Sequence, residues 1–491
     1  MNNKKISSNS EIGSLSEKIA SGILLLSFKR ISLQFVITLT NITLARLLFP
    51  ADFGMFAIVT FVIAIFTVFS DLGLGPSLVQ QKDDISEKDL QTTFTVQLLL
   101  SVVIILVIFG ISPMIANFYN IGEKGVVLFR IYSLYLLFMP FKTTSGAILE
   151  RHLQYKKLII IEITELAVVS SLTILLAFRG FGVFSFAYSA VLGHFIGGVF
   201  YYFFVRWPIR FIILRDNLTK LARFGLSYQS NVVFGLFYGP LILLYLGKVV
   251  GPDNLGYYQW AAGFAVFPAV ASEIINRVLF PLGARSQHDK QFFRKIIETS
   301  LMIVSFTSLP LAFIFMAAVP GIIHLVYTDK WLPAVPAVYL GLVQMVIIAH
   351  TGIFSQLLLA RGRADVMRNM SFVWVILTWV LSPPLIHLFN FVGMSLASLL
   401  ISATGIYLFF RLRQEVNFSF GKNFTLYLVS SLLCGILVFL AIHALGVTLP
   451  VLIVVMSSGL IFYVSVIWLF RGKEVFTNIR YLILSLKRTS G

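Results

Sequence analysis

Apolar residues run along most of this chain in blocks of twenty or so, broken by short clusters of charge, Pro and Gly. A helix needs about 20 mainly apolar residues to cross the hydrocarbon core of a bilayer. The blocks fall at 24–48, 53–75, 91–113, 126–148, 159–178, 183–205, 228–249, 257–280, 297–319, 334–358, 370–389, 391–411, 424–445 and 450–470. The pattern predicts an all-α polytopic membrane protein with 14 transmembrane helices. An even number puts both termini on one side. The joining segments are short, the longest around 206–227, which leaves no room for a soluble catalytic domain. The first block is too long for a secretory leader and lacks a small-residue cleavage site, so no cleavable signal peptide is expected.

Composition narrows the class further. Hydrophobic residues make up 58% of the 491 and charged residues only 12%, against about 25% charged in soluble domains. That excludes a cytosolic enzyme, a disordered chain and a secreted disulfide scaffold. The single cysteine, Cys434, can form no internal disulfide and no cysteine metal cluster. The net charge of +17 follows from topology rather than from nucleic acid. With the N-terminus cytoplasmic, and Arg46, Arg130, Lys248 and Arg411 counted with the segments they adjoin, 28 of the 38 Lys and Arg residues fall in cytoplasmic segments, 6 on the other side and 4 within blocks. The positive-inside rule then places both termini in the cytoplasm.

Two stretches match at an offset of 202: Leu44 to Gly54 (LARLLFPADFG) and Leu246 to Gly256 (LGKVVGPDNLG). The shared order is small, basic, two apolar, any, Pro, any, Asp or Asn, apolar, Gly. It spells a helix end, a Pro turn, an N-cap and a new helix. Fainter echoes follow in register: Pro113 and Tyr119 with Pro320 and Tyr327, then Arg151 with Arg361. Six helices per copy give both halves the same orientation. The expectation is two six-helix lobes related by a pseudo-two-fold along the membrane normal, plus two C-terminal helices. The lobes span 1–215 and 216–415, and the helix pair with its basic tail spans 416–491.

Ionisable side chains at bilayer depth cost about 2.5–3.5 kcal/mol each and mark pathways. Lys29 and Arg30 either line an inward-facing cavity or snorkel from a helix starting at Ile31. Lys142, within two turns of the cytoplasmic end of its block, has the same two options. Glu273 and Arg277 are four residues apart on one helix face. Asp71 precedes Glu273 by 202 residues, so the two acids recur at equivalent places, as ion pairs or as a cation site in each lobe. They are the ion-coupling candidates. Glu162 and Glu165 read as acids near a helix start. Of the seven histidines, no two share metal-ligand spacing on one helix. His194 and His350 read as packed, hydrogen-bonded residues rather than proton relays. No phosphate loop, dinucleotide motif or nucleophile elbow is present, which excludes an ATP-driven pump for this chain alone. No metal, no cofactor and no enzymatic activity are expected.

Four segments carry a resemblance: LARLLFPADFG with FSDLGLGPSLVQQ between Leu44 and Gln81, Gly256-Tyr257-Tyr258, Arg277 to Pro281, and Lys330 to Pro336. Together they resemble bacterial oligosaccharide flippases of the multidrug/oligosaccharidyl-lipid/polysaccharide exporter superfamily, over nearly the whole chain. The resemblance implies movement of an undecaprenyl-pyrophosphate-linked oligosaccharide from the cytoplasmic to the outer leaflet of the bacterial inner membrane, for O-antigen, capsule or exopolysaccharide. It implies a cationic cavity for the pyrophosphate, for which Lys29, Arg30 and Arg277 match by position, with Lys142 as a further candidate. It also implies contact with membrane lipid, a polysaccharide polymerase and chain-length machinery, and none with nucleic acid. One departure is that Phe234 to Gly247 carries no charge, where many relatives do. Two rival readings differ. A drug or cation antiporter of the same superfamily would have an acid-lined cavity, which the in-span basic residues oppose. A membrane polymerase would need a large outward loop, and the joins here are short, as at 445–450.

Overall fold

The computed structural model describes residues 32–286 and 289–488; Lys29 and Arg30 lie outside the described residues. All regular structure among them is helical. The described residues fall in two compact units, one ending at Gly256 and the other starting at Tyr257.

The first unit holds α1 (residues 32–47), α2 (Pro50–Asp71), α3 (Leu74–Gln80), α4 (Glu87–Phe118), α5 (Gly122–Ser133), α6 (Met139–Arg151), α7 (Tyr155–Phe178), α8 (Phe184–Phe204) and α9 (Arg215–Tyr238). Local chemistry sets these starts. Pro50 opens α2, and Asp52 accepts the Phe49 N–H at 3.0 Å. Ser86 caps α4 and exchanges bonds with Asp89: its hydroxyl accepts the Asp89 N–H, and its own N–H donates to Asp89 Oδ2, each at 3.1 Å. One core joins Leu74, Leu78, Phe94, Ala147, Trp207 and Leu221. The helix α10 (Pro240–Ala265) crosses the unit boundary and kinks at Gly251, whose φ of 79° and ψ of 170° are not helical.

The repeated turn meets itself in this unit. A Cβ on Gly54 would overlap the Pro252 carbonyl, and a Cβ on Gly256 would overlap the Pro50 carbonyl. The contact is reciprocal, and only glycine permits it.

The second unit holds the rest of α10, α11 (Val270–Ser286), α12 (Lys290–Ile322), α13 (Val335–Ala360), α14 (Ala364–Ala403), α15 (Ile406–Glu415), α16 (Phe420–Leu445) and α17 (Leu449–Arg488). One core runs through Ile297, Leu301, Ile353, Leu357, Leu408 and Leu412. A second joins α12, α16 and α17 around Tyr427, Cys434 and Tyr463. The Cys434 thiol is buried and donates to the Gly459 carbonyl at 3.0 Å. Gly459 is small enough to let these helices touch.

Several expected spans are broken. The block 228–249 is interrupted at Gly239, ahead of Pro240, because the residue before a proline is driven out of the α region. The block 257–280 contains a 3-10 turn at Phe267–Ala269, centred on Pro268. The block 126–148 contains another at Leu134–Phe138. Among the described residues, eleven helical stretches are long and apolar enough to cross a membrane. Large apolar side chains such as Leu106, Leu388 and Leu469 stand exposed on their outer faces, which suits lipid rather than water.

Candidate functional site

Two polar clusters lie inside the apolar helices of the first unit. The first forms where α2 ends. Leu72 and Gly73 take φ of 49° and 68°, so the chain turns and α3 begins. Gly73 packs on the backbone of Gly225 in α9, where a side chain would collide. This turn leaves Asp71 facing α4. Gln97 donates its Nε2–H to Asp71 Oδ1 at 2.7 Å. The two residues, with Thr67, Ser70, Ser101 and Thr143, wall a cavity of about 190 Å³, completed by Met139 and Pro140.

The second cluster joins α6, α7 and α8. The Lys142 ammonium donates to Glu165 Oε1 at 2.7 Å. His194 Nδ1 lies 2.6 Å from the same oxygen and 3.1 Å from Lys142 Nζ. Their side chains are 19%, 10% and 24% exposed, so the carboxylate is the most enclosed of the three. Gly193 and Gly197 of α8 let α7 come close: a Cβ on Gly193 would strike Val169, and one on Gly197 would strike Glu165. An opposite charge at bonding distance keeps a buried ion tolerable, and losing it leaves a bare charge. The clusters are linked. Tyr135 places its ring 4.8 Å from that of His194, and its hydroxyl bonds the Thr67 hydroxyl at 3.1 Å.

Glu165 is therefore not a helix-start acid. α7 begins at Tyr155, nearly three turns earlier, and Glu165 serves as the partner of Lys142. Neither Gln97 nor the joining of Glu165 and His194 to Lys142 is evident from the sequence. The only signal was a polar run, Gln91 to Gln97, at the head of an apolar helix.

The remaining candidates lie in the second unit. Glu273 sits half-buried one helical turn before Arg277, which is exposed, on α11. His350 is buried. Its Nδ1 lies 2.8 Å from the Val346 carbonyl, so Nδ1 carries the proton, and its Nε2 accepts from the Ser305 hydroxyl at 2.9 Å. That is the packed, fully bonded histidine expected.

The sequence model of a family described as polysaccharide biosynthesis protein matches residues 43–336, more than half of the chain. The chain belongs to that family. Two curated relatives sharpen the picture. The teichuronic acid biosynthesis protein TuaB of Bacillus subtilis is 25% identical over 63% of this chain and 64% of its own length. The chain thus spans just under two thirds of that relative. The lipopolysaccharide biosynthesis protein WzxC of Escherichia coli is 25% identical over 76% of this chain and 74% of its own. Among solved structures, the lipid II flippase MurJ in an inward closed conformation superposes with a TM-score of 0.73, at 14% identity, over 91% of this chain and 97% of that one. An inward-facing multidrug resistance MATE family transporter of the MOP superfamily gives 0.57 at 15% identity, over 79% and 98%. These likenesses carry the fold. This member of the polysaccharide biosynthesis family is a multi-pass membrane protein with the helical architecture shared by MurJ and the MATE transporter.

Proposed function

We propose that this protein is a flippase that moves an undecaprenyl-pyrophosphate-linked oligosaccharide from the cytoplasmic to the outer leaflet of the bacterial inner membrane by alternating access. The observation that carries this reading is the match of 43–336 to a polysaccharide biosynthesis family in a chain whose fold superposes on that of the lipid II flippase MurJ. The relatives' names point to surface polysaccharide rather than to drugs.

Fourteen crossings, with both termini inside, remain our reading of the topology. Two of the eleven apolar stretches, of 55 and 52 residues, are each long enough for two crossings, and the block 24–48, described from residue 32 on, is assigned one more. The lobes are assigned to 1–215 and 216–415, with the pair 416–491 beyond them. The reciprocal Gly54–Pro252 and Gly256–Pro50 contacts support a two-fold relation, since such an axis makes each residue meet the other's counterpart. The compact unit runs past residue 215 because α9 packs on α3, where the Ser77 hydroxyl donates to the Leu221 carbonyl at 2.9 Å.

In this mechanism Lys29, Arg30 and Arg277 attract the pyrophosphate, since charge-assisted bonds are strong where water is scarce. Lys142, held by Glu165, joins them only by exchanging that carboxylate for a phosphate. Asp71 and Glu273 bind the coupling ion, which biases the two states only if its affinity differs between them. Polymerase and chain-length proteins receive the product. The test is export of surface polysaccharide by cells carrying Arg30→Ala or Arg277→Ala at normal protein level. Each is expected to reduce export at least about tenfold, the effect of a ~1.4 kcal/mol loss of transition-state binding. Undiminished export by both would remove these residues from the mechanism.

A further inference from the structure

The second unit carries an apolar cavity of about 400 Å³ between α13, α15 and α16. That volume falls in the ~300–1,000 Å³ range usual for ligand sites. α14 ends at Ala403, and the turn at Thr404 and Gly405 lets α15 set off as a separate helix. Gly405 brings that turn close to α13, since a Cβ there would lie 2.8 Å from Thr351 Cγ2. Phe409 of α15 meets Phe420 edge-on at 5.3 Å, and Phe420 stacks on Phe424 at 4.9 Å. Phe424 in turn meets the His350 ring edge-on at 5.3 Å. These rings wall the cavity, and Ile406, 57% exposed, stands at its rim.

The walls offer no unused hydrogen-bond donor. Both His350 nitrogens are bonded, one to the Val346 carbonyl and one to the Ser305 hydroxyl. The Thr351 hydroxyl donates to the Ile347 carbonyl at 2.9 Å. A sugar or a headgroup placed here would lose its water without finding partners, a cost that hydrocarbon escapes. A cation stands beside the same wall. Ile406, Phe409 and Arg413 are spaced i, i+3, i+7, so they share one stripe of α15. The Arg413 guanidinium is exposed and lies 5.7 Å from the centre of the Phe409 ring. Glu415, two residues on, is committed to Arg361 and Arg363 at 2.8 and 2.9 Å. Among the described residues, no carboxylate pairs with Arg413. A hydrocarbon-walled crevice with an unpaired guanidinium at its edge is complementary to a lipid that carries a phosphate.

We propose that this crevice binds an anionic phospholipid, with an acyl chain between α13, α15 and α16 and its phosphate on Arg413. The chain becomes the packing partner of Phe409, Phe420 and Phe424, so the lipid ties α16 to α13 and α15. Among the described residues, neither Arg277 nor Glu273 lines the cavity. The inference does not rest on the flippase reading.

The test uses the purified full-length chain, stripped of lipid by detergent exchange and titrated with phosphatidylglycerol in mixed micelles. Phosphatidylglycerol is expected to raise the melting temperature saturably, with phosphatidylcholine weaker. Ala403 lines the cavity, so Ala403→Phe puts a ring into it. That variant is expected to lose the response while melting no lower than the stripped wild type. Arg413→Gln is expected to weaken the apparent affinity about fivefold, which is what one cation contributes at an anionic surface. Lys156→Gln, at an exposed cation of the first unit, is expected to leave it unchanged. If Ala403→Phe does not fold, native mass spectrometry decides the matter, with Arg413→Gln expected to retain less phosphatidylglycerol than the wild type. An unchanged response in Ala403→Phe, or equal retention by Arg413→Gln, overturns the site. Stabilisation by a polyprenyl phosphate but not by phosphatidylglycerol overturns the occupant. No transport is measured, so none of these results bears on the flippase reading.

Discussion

Glu165 accepts from both Lys142 and His194, at 2.7 and 2.6 Å, with only 10% of its side chain exposed. Removing it leaves an ammonium at bilayer depth without a counter-charge, a change that costs about 3–5 kcal/mol when a buried pair is broken. Glu165→Ala is therefore expected to lower the melting temperature sharply in detergent. The double variant Lys142→Met with Glu165→Leu removes both charges and is expected to recover most of the loss. A double variant no more stable than the single one would show that the pair does not act as argued. Glycine gives a second test at this scale. Gly256→Ala places a methyl group into the Pro50 carbonyl, whereas Gly110 has nothing within 4 Å of an added Cβ. Overpacking costs about 1–3 kcal/mol even where side chains can yield, and here the obstacle is backbone. Thermal melting should separate Gly256→Ala from a neutral Gly110→Ala. Asp71 and Lys142 were legible in the sequence because a charge inside an apolar block is conspicuous. Gln97, Glu165 and His194 were not legible as their partners. Which helix faces which is decided by tertiary packing, and no spacing along the chain encodes it.

At the scale of elements, the breaks divide by cause. The boundary expected between residues 389 and 391 falls where Asn390 takes φ 55° and ψ −143° and its Oδ1 accepts the Phe391 N–H at 2.7 Å. A polar residue between apolar blocks revealed it. The Gly239–Pro240 pair announced the break inside block 228–249, whereas the interruption at Leu134–Phe138 was hidden, because its surroundings are as apolar as the helices it divides. A positive φ on a non-glycine residue costs about 1–3 kcal/mol. Asn390→Gly is thus expected to hold or raise the melting temperature, and Asn390→Val, branched at Cβ, to lower it. The reverse order would mean that the bend is imposed by neighbouring helices whatever the residue.

At the scale of the molecule, a polysaccharide biosynthesis family match over 43–336 coincides with a MurJ-like fold over 91% of the chain and with charge buried among apolar helices. The all-helical membrane class was legible because hydrocarbon admits only helices or closed barrels, and twenty-residue apolar blocks select the helix. The identity of the sugar was not, since the matching motifs are turns and helix ends rather than substrate contacts. The central claim is translocation of a finished lipid-linked unit. It is tested most directly by deleting the gene and locating the undecaprenyl-linked sugars by leaflet. Complete units are expected to accumulate on the cytoplasmic leaflet, and the wild-type gene to clear them. Single units gathering on the outer leaflet would contradict it and point to a polymerase.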